Sequence, residues 1–181
     1  YIGRTTFEYE NDSDNLLPHT AEDRQLLATI GRVKRESRMA RERSEDALTW
    51  NVFRHLEVSG RLVPWLTASG VGTPSLATVH YWSFDASTGH TWAPLSEARA
   101  AFGELDGRGS EPDLVIATDD AHVWVEAKFG SGNTTTPSDV SGAKRRYTSG
   151  GGGWFPSVVR STFETVAVEQ RRYELLQTHM V

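Results

Sequence analysis

Between Asp113 and Lys128 the sequence DLVIATDDAHVWVEAK sets two short apolar, β-branched runs on either side of the dipeptide Asp119-Asp120. Runs of this kind bounded by turn residues read as strands, and two of them separated by two residues read as a hairpin. With Asp119 and Asp120 as the turn, Thr118 pairs with Ala121, and counting back along the ladder sets Asp113 opposite Glu126. Directly opposed residues share a face, with Cβ atoms about 4.5–5.5 Å apart, and the period of two brings Lys128 to that face as well. A three-residue turn would send Asp113 to the other side, so the site expected here depends on the register.

Two facing carboxylates repel, and burial raises the pKa of at least one unless a cation attends them. A metal ion resolves that conflict. The chain has no cysteine, and its six histidines show no metal-ligand spacing, although His122 falls on the expected face of Glu126. Oxygen donors alone favour a hard ion, and Mg²⁺ is commonly held by one or two carboxylates while keeping waters and binding substrate phosphate. Such an ion polarises a phosphoryl oxygen and acidifies bound water, and a neighbouring lysine can orient that water. Phosphoryl chemistry is therefore the expectation. The competing reading for each residue alone is an ordinary surface charge.

The rest of the chain supplies the frame. Residues 1–19 read as an acidic, polar arm, and structure is expected to begin at Thr20, where Thr20-Ala-Glu-Asp23 resembles a capping box. Leu26, Leu27, Ile30 and Val33 follow at helical spacing. The continuation GRVKRESRMARER carries Arg32, Lys34, Arg35, Arg38, Arg41 and Arg43 against Glu36 and Glu42, a basic stripe that reads either as a solvated helix face or as a phosphate-contacting surface. Ser44 then caps a second helix, with Leu48, Val52, Phe53 and Leu56 as its apolar stripe and Gly60 as its stop. At 100° per residue Glu45 projects to the stripe's side. A glutamate in a first helical turn also complements the helix dipole, which is the plainer reason for its presence.

Loops around the brief LVPWL segment lead to a strand over Ala77–Asp85, a short helix at PLSEARAAF and the hairpin. Residues 129–157 are polar and glycine-rich and read as a flexible loop, in which Lys144, Arg145 and Arg146 could touch a nucleic-acid backbone. A final helix is expected from about Glu169 onward. One domain is expected over residues 20–181.

Glu111-Pro112-Asp113, twelve intervening residues and Glu126-Ala127-Lys128 resemble the signature of the PD-(D/E)XK nuclease superfamily. The apolar strand before each half, the tight turn between them and an upstream helix carrying Glu45 strengthen the likeness, which covers roughly Ser44 to the C-terminus. The resemblance implies an α/β protein with a restriction-endonuclease-like αβββαβ core, a central mixed sheet flanked by helices, and here an extra N-terminal helix. It implies that Asp113 and Glu126 hold Mg²⁺ or Mn²⁺, joined by the Ala127 carbonyl and assisted by Glu45, and that Lys128 positions the attacking water. Gln170 resembles the glutamine many members carry on the last helix, although Tyr173 follows it by three residues rather than four.

The function implied is that of a metal-dependent nuclease, an endodeoxyribonuclease, with DNA favoured over RNA and Arg35, Arg38, Lys144, Arg145 and Arg146 as contacts to the strand. The alternative is a catalytically inactive nucleic-acid-binding or scaffolding module of the same fold, because fold does not fix function. The family expects a strand after the last helix. A truncated C-terminus, the TVAV segment before Glu169, or another chain, as in a homodimer, are the sources left open.

A net charge of −5 argues against holding nucleic acid by bulk electrostatics, so any such contact must be local. The absence of cysteine excludes disulfides and a cysteine nucleophile. No apolar run approaches the roughly 18 residues of a membrane span, and the expectation is a soluble, cytoplasmic protein without a membrane partner.

Overall fold

The computed structural model describes residues 7–17, 20–34, 38–102, 104, 111–129, 165 and 168–171. Within them the chain is a mixed α/β protein: α1 (Ala21–Ile30), α2 (Glu45–Val58), α3 (Leu62–Ala68), β1 (Ala77–Tyr81), β2 (Phe84–Asp85), β3 (His90–Thr91), α4 (Ala93–Ala101), β4 (Leu114–Thr118) and β5 (His122–Val125). Contacts divide the chain into two units, one of Tyr1–His90 with Asp113–Gly130, the other of Thr91–Pro112 with Ser131–Val181.

The first unit is built on a three-stranded sheet in the order β1-β4-β5, antiparallel throughout. A mixed sheet was expected, but every pairing among the described residues of this sheet is antiparallel. The pairs Leu114↔Val125, Val115↔Trp124, Ile116↔Val123 and Ala117↔His122, closed by the Thr118 N–H donating to the Ala121 carbonyl at 2.8 Å, give the two-residue turn read from the sequence. Leu114, Val115 and Ile116 are all fully buried, as the central strand requires.

One face of the sheet, through Val79, Tyr81, Leu114 and Ile116, joins Trp50, Phe53, Leu62 and Leu66 from α2 and α3 in a single core. The Trp50 and Tyr81 rings lie 5.1 Å apart, and Phe53 meets Trp65 edge-to-face at 5.3 Å. The buried positions of α2 are Ala47, Thr49, Trp50 and Phe53. Val52, expected on the inner stripe, is 43% exposed. Trp50 explains the rotation, because its large ring takes the inward position and turns Val52 to the surface.

α1 starts at the expected capping box, where the Thr20 hydroxyl accepts from the Asp23 N–H at 3.2 Å and Asp23 Oδ2 accepts from the Thr20 N–H at 2.8 Å. It stops at Ile30, and Gly31–Val33 form a turn, so the basic segment is not the helical stripe expected. α2 begins with the Ser44 hydroxyl accepting from the Ala47 N–H at 3.0 Å. It ends at Gly60, whose φ of +67° permits a Schellman closure: Arg61 N–H to the Leu56 carbonyl at 2.8 Å and Gly60 N–H to the Glu57 carbonyl at 3.1 Å.

The strand expected over Ala77–Asp85 is broken. Trp82 and Ser83 both take left-handed backbone, at φ of 47° and 70°, turning the chain between β1 and β2. Residues 7–17, expected as an arm, are tied down. The Tyr9 N–H donates to the Ala40 carbonyl, the Asn15 amide donates to the Met39 and Arg41 carbonyls, and Leu16 is buried.

A polar network locks α1, α2 and β1 together. Asp23, 1% exposed, accepts from Arg54 Nε at 2.7 Å; Arg54 Nη1 donates to Glu57 Oε2 at 2.6 Å, and the Tyr81 hydroxyl donates to the same oxygen at 3.3 Å. Burial pushes the Asp23 carboxyl up, but hydrogen bonds from Thr20 and the Arg54 guanidinium outweigh it and hold the carboxyl below its ordinary value.

In the second unit α4 opens with Pro94 in its first turn and buries Leu95 completely, with Trp92 and Phe102 buried at its two ends. At the far end of the chain the Gln170 N–H donates to the Thr165 carbonyl at 3.0 Å and Arg171 has φ of 53°. The left-handed Arg171 breaks a right-handed helix at that residue, and the rest of the helix expected from about Glu169 lies outside the described residues. No helix among the described residues is long and apolar enough to cross a membrane.

The inner face of α2 sets a mutational contrast. Trp50→Ala should cost about 3–5 kcal/mol of unfolding free energy and Val52→Ala less than about 0.5 kcal/mol, read from urea unfolding midpoints at unchanged slope. Equal losses would refute the assigned face.

Candidate metal centre

The ladder closes with the pair Leu114↔Val125, and one step past it the same count brings Asp113 opposite Glu126, just outside the paired residues. β1 extends it from the other side: the Trp82 N–H donates to the Asp113 carbonyl at 3.1 Å, one step beyond the Tyr81↔Leu114 pair. Asp113 is thus held by its backbone on one neighbour and by its side chain on the other, since Asp113 Oδ2 accepts from the Ala127 N–H at 2.7 Å. The three residues after β5 leave the ladder and turn their groups toward this carboxylate and toward the start of α2.

Lys128 carries the local positive charge. Its Nζ lies 2.5 Å from Glu126 Oε1 and 4.0 Å from Glu45 Oε2. The other oxygen of Glu45 accepts from the Phe129 N–H at 2.9 Å, so the first residue of α2 is stitched to the segment following β5. Glu45, Asp113, Glu126, Ala127 and Lys128, all singled out in the sequence, therefore meet in one place within the first unit.

Burial, first, and then the negative charge of Glu126 push the Asp113 carboxyl up to about 7, against the opposing pull of the Ala127 N–H and the Lys128 ammonium. Asp46 adds to the upward push. The chemistry of these donors fits a hard divalent ion as a carboxylate pair: one carboxyl is denied its charge by its partner, a conflict that a cation between them would relieve. A third ligand does not complete the set. Among the described residues no group of three His, Cys, Asp or Glu side chains is placed to hold a metal ion, and Glu45 meets the Lys128 ammonium at 4.0 Å.

Other residues entered unannounced. Asp46 accepts from the Arg38 N–H at 3.3 Å and pairs with Lys34 Nζ at 3.2 Å, and that ammonium also lies 4.7 Å from the centroid of the Trp82 ring. Lys34 therefore packs inward, only 8% exposed along its side chain, rather than facing a phosphate. Its position four residues past Ile30 gave no hint of this, because the helix expected to carry it ends first. Arg38 is exposed, and its N–H donates to Asp46 Oδ2 at 3.3 Å. Arg35, Lys144, Arg145 and Arg146 lie outside the described residues. Gln170 belongs to the second unit and is exposed.

Comparison with known proteins returns no matching family model, no matching curated protein and no matching solved structure.

The raised Asp113 fixes a pH dependence. A carboxyl that titrates near 7 when folded and near its ordinary 3.8 when unfolded binds its proton more tightly in the folded state. The stability it confers is fully present below about pH 4 and disappears as pH rises through 7, a loss on the order of 4 kcal/mol at most. Asp113→Asn keeps an oxygen to accept from Ala127 and removes the titration. Without divalent ions, the variant should be the more stable protein at pH 8 and lose that advantage by pH 4, as followed by urea unfolding across the range. A difference that is flat with pH would show that Asp113 is not a strained acid.

Proposed function

We propose that this chain is a metal-dependent nuclease that hydrolyses phosphodiester bonds, with DNA as the favoured substrate. The observation that carries this reading is the half-buried Asp113 carboxyl, pushed up to about 7, facing Glu126 beside the Lys128 ammonium. A carboxyl raised by burial and by a facing carboxylate is the arrangement that a bound cation would relieve. Asp113 and Glu126 would hold Mg²⁺ or Mn²⁺, with the Ala127 carbonyl as a further oxygen donor and Glu45 in support.

When bound, the ion would supply Lewis-acid polarisation of the phosphoryl group and a more acidic water. The chain's own residues do the rest. Asp113 must shed its proton before it can serve as a ligand, and its bond from Ala127 keeps Oδ2 oriented while it does. Lys128 is drawn to both Glu126 and Glu45, and on release from Glu126 it would be placed to hold a water or offset charge developing on phosphate. Glu45, anchored by the Phe129 N–H, keeps that ammonium from leaving the site.

A second reading, a nucleic-acid-binding or scaffolding module of the same restriction-endonuclease-like fold without turnover, is favoured by one observation. Lys128 already neutralises Glu126, and no third acidic ligand completes a cage among the described residues.

Purified protein incubated with DNA or RNA should cleave with Mg²⁺ or Mn²⁺ and fall silent in chelator. Lys128→Ala and Asp113→Asn should each lower the rate by about 100-fold or more. Below pH 7 the wild-type rate should climb about tenfold per pH unit, because the active fraction requires ionised Asp113. Metal-dependent binding with no cleavage at any pH would favour the module instead.

A further inference from the structure

We propose that Phe129 is a base-stacking platform beside the acidic cluster, and that the site accepts a nucleic-acid strand whose bases are unpaired rather than a closed duplex. This deepens the nuclease reading and takes from it the identity of the polymer.

Phe129 is 48% exposed although it is one of the larger apolar side chains of the first unit. A lone exposed apolar residue needs no explanation by itself. Its anchoring does. The Phe129 N–H is fixed on Glu45 Oε1 at 2.9 Å, and the preceding residue is Lys128, whose ammonium contacts Glu126. Two consecutive side chains thus diverge from one pinned backbone, the ammonium into the carboxylates and the ring toward solvent. A phosphate brought to the carboxylates would lie beside Lys128, the residue next to Phe129 in the chain.

Charge leads to the same conclusion by an independent route. The chain carries −5, and among the described residues the two ammonium groups nearest the cluster are engaged, Lys128 on Glu126 and Lys34 on Asp46. Duplex binding draws on phosphate neutralisation by basic groups, which these pairs do not supply. Stacking on an aromatic face does not need net charge, and every unpaired base offers such a face. In a duplex the bases are stacked on each other, and reaching the ring would require one to be extruded.

The test uses fluorescence anisotropy with a labelled single-stranded DNA and with the same strand annealed to its complement. It is run in Mg²⁺ on the full chain carrying Lys128→Ala to keep the strand intact. Phe129→Ala should weaken single-strand binding roughly 5- to 150-fold while changing duplex binding less than about threefold. Phe129→Trp should retain the affinity, and Phe129→Leu, apolar but without a π-face, should lose it as alanine does. Unchanged thermal midpoints would confirm that an exposed side chain was altered without unfolding the chain.

Leucine binding as tightly as phenylalanine, an equal loss for duplex and single strand, or no single-strand binding at all would overturn the proposal. The two readings separate cleanly. Phe129-dependent single-strand binding in a wild-type chain that never cleaves would remove the nuclease and leave the platform. Metal-dependent cleavage at the same rate with or without the Phe129 ring would leave the nuclease and remove the platform.

Discussion

The opposition of Asp113 and Glu126 rests on a turn of two residues. In an antiparallel ladder a slip of one residue exchanges the faces of every side chain, so the cluster exists only if the β4–β5 hairpin closes at Asp119-Asp120 and nowhere else. Several bonds enforce this. Thr118 both donates its N–H to the Ala121 carbonyl and receives the Ala121 N–H on its hydroxyl at 2.9 Å, while Ser75 grips the Asp119 carboxylate with its N–H and its hydroxyl. The apolar alternation enforces it again, since only this register brings Val123 and Val125 alongside Leu114 and Ile116 against the core. Turn chemistry and hydrophobic pattern agree, and the agreement places two like charges face to face.

That arrangement costs free energy, and the surrounding structure supports it. Asp113 is bonded from both sides, by Trp82 through its backbone and by Ala127 at its carboxylate. Trp82 itself sits in left-handed backbone that a bulky residue seldom adopts, one step from the charged pair. Strain of this kind persists where neighbours over-determine it and gathers at functional sites. Here the neighbours are a fully buried indole, the Lys34 ammonium against its face, and Asp46 holding that ammonium. The far end of α2 is secured separately, through Arg54 between Asp23 and Glu57, while its first residue, Glu45, is held at the cluster by the Phe129 N–H.

Local patterns were legible wherever a single physical rule decides the outcome. The capping box at Thr20, the Ser44 cap, the Gly60 stop, the short helix before the hairpin and the hairpin register all follow from residues within a few positions of one another. Readings failed where a distant partner decides. Val52 was expected inside by spacing, but Trp50 fills the space beneath Tyr81 and turns the helix. The basic segment was expected as a continued helix, but Lys34 is drawn onto Asp46 and Trp82, contacts no local rule foretells. β1 was expected to run to Asp85, and nothing in Trp82-Ser83 announces two left-handed residues, since neither is glycine or asparagine. The acidic first residues looked free because their partners, the carbonyls of Met39, Ala40 and Arg41, are not side chains at all.

Lys128 is the point at which the chemistry is balanced. Within an acidic chain, an ammonium between Glu126 and Glu45 does the work of a counter-ion: it lets three carboxylates approach without a metal. It can do so only by occupying Glu126; its pull on Asp113 is outweighed by burial and by the Glu126 charge, which together push that carboxyl up to about 7. A divalent ion set between Asp113 and Glu126 would satisfy both at once and free the ammonium, and one lysine cannot offer both states together. Under the proposed function the same side chain would hold Glu126 before an ion arrives and leave it afterwards, so that binding a cation and presenting a positive group to a phosphate would be coupled through Glu126.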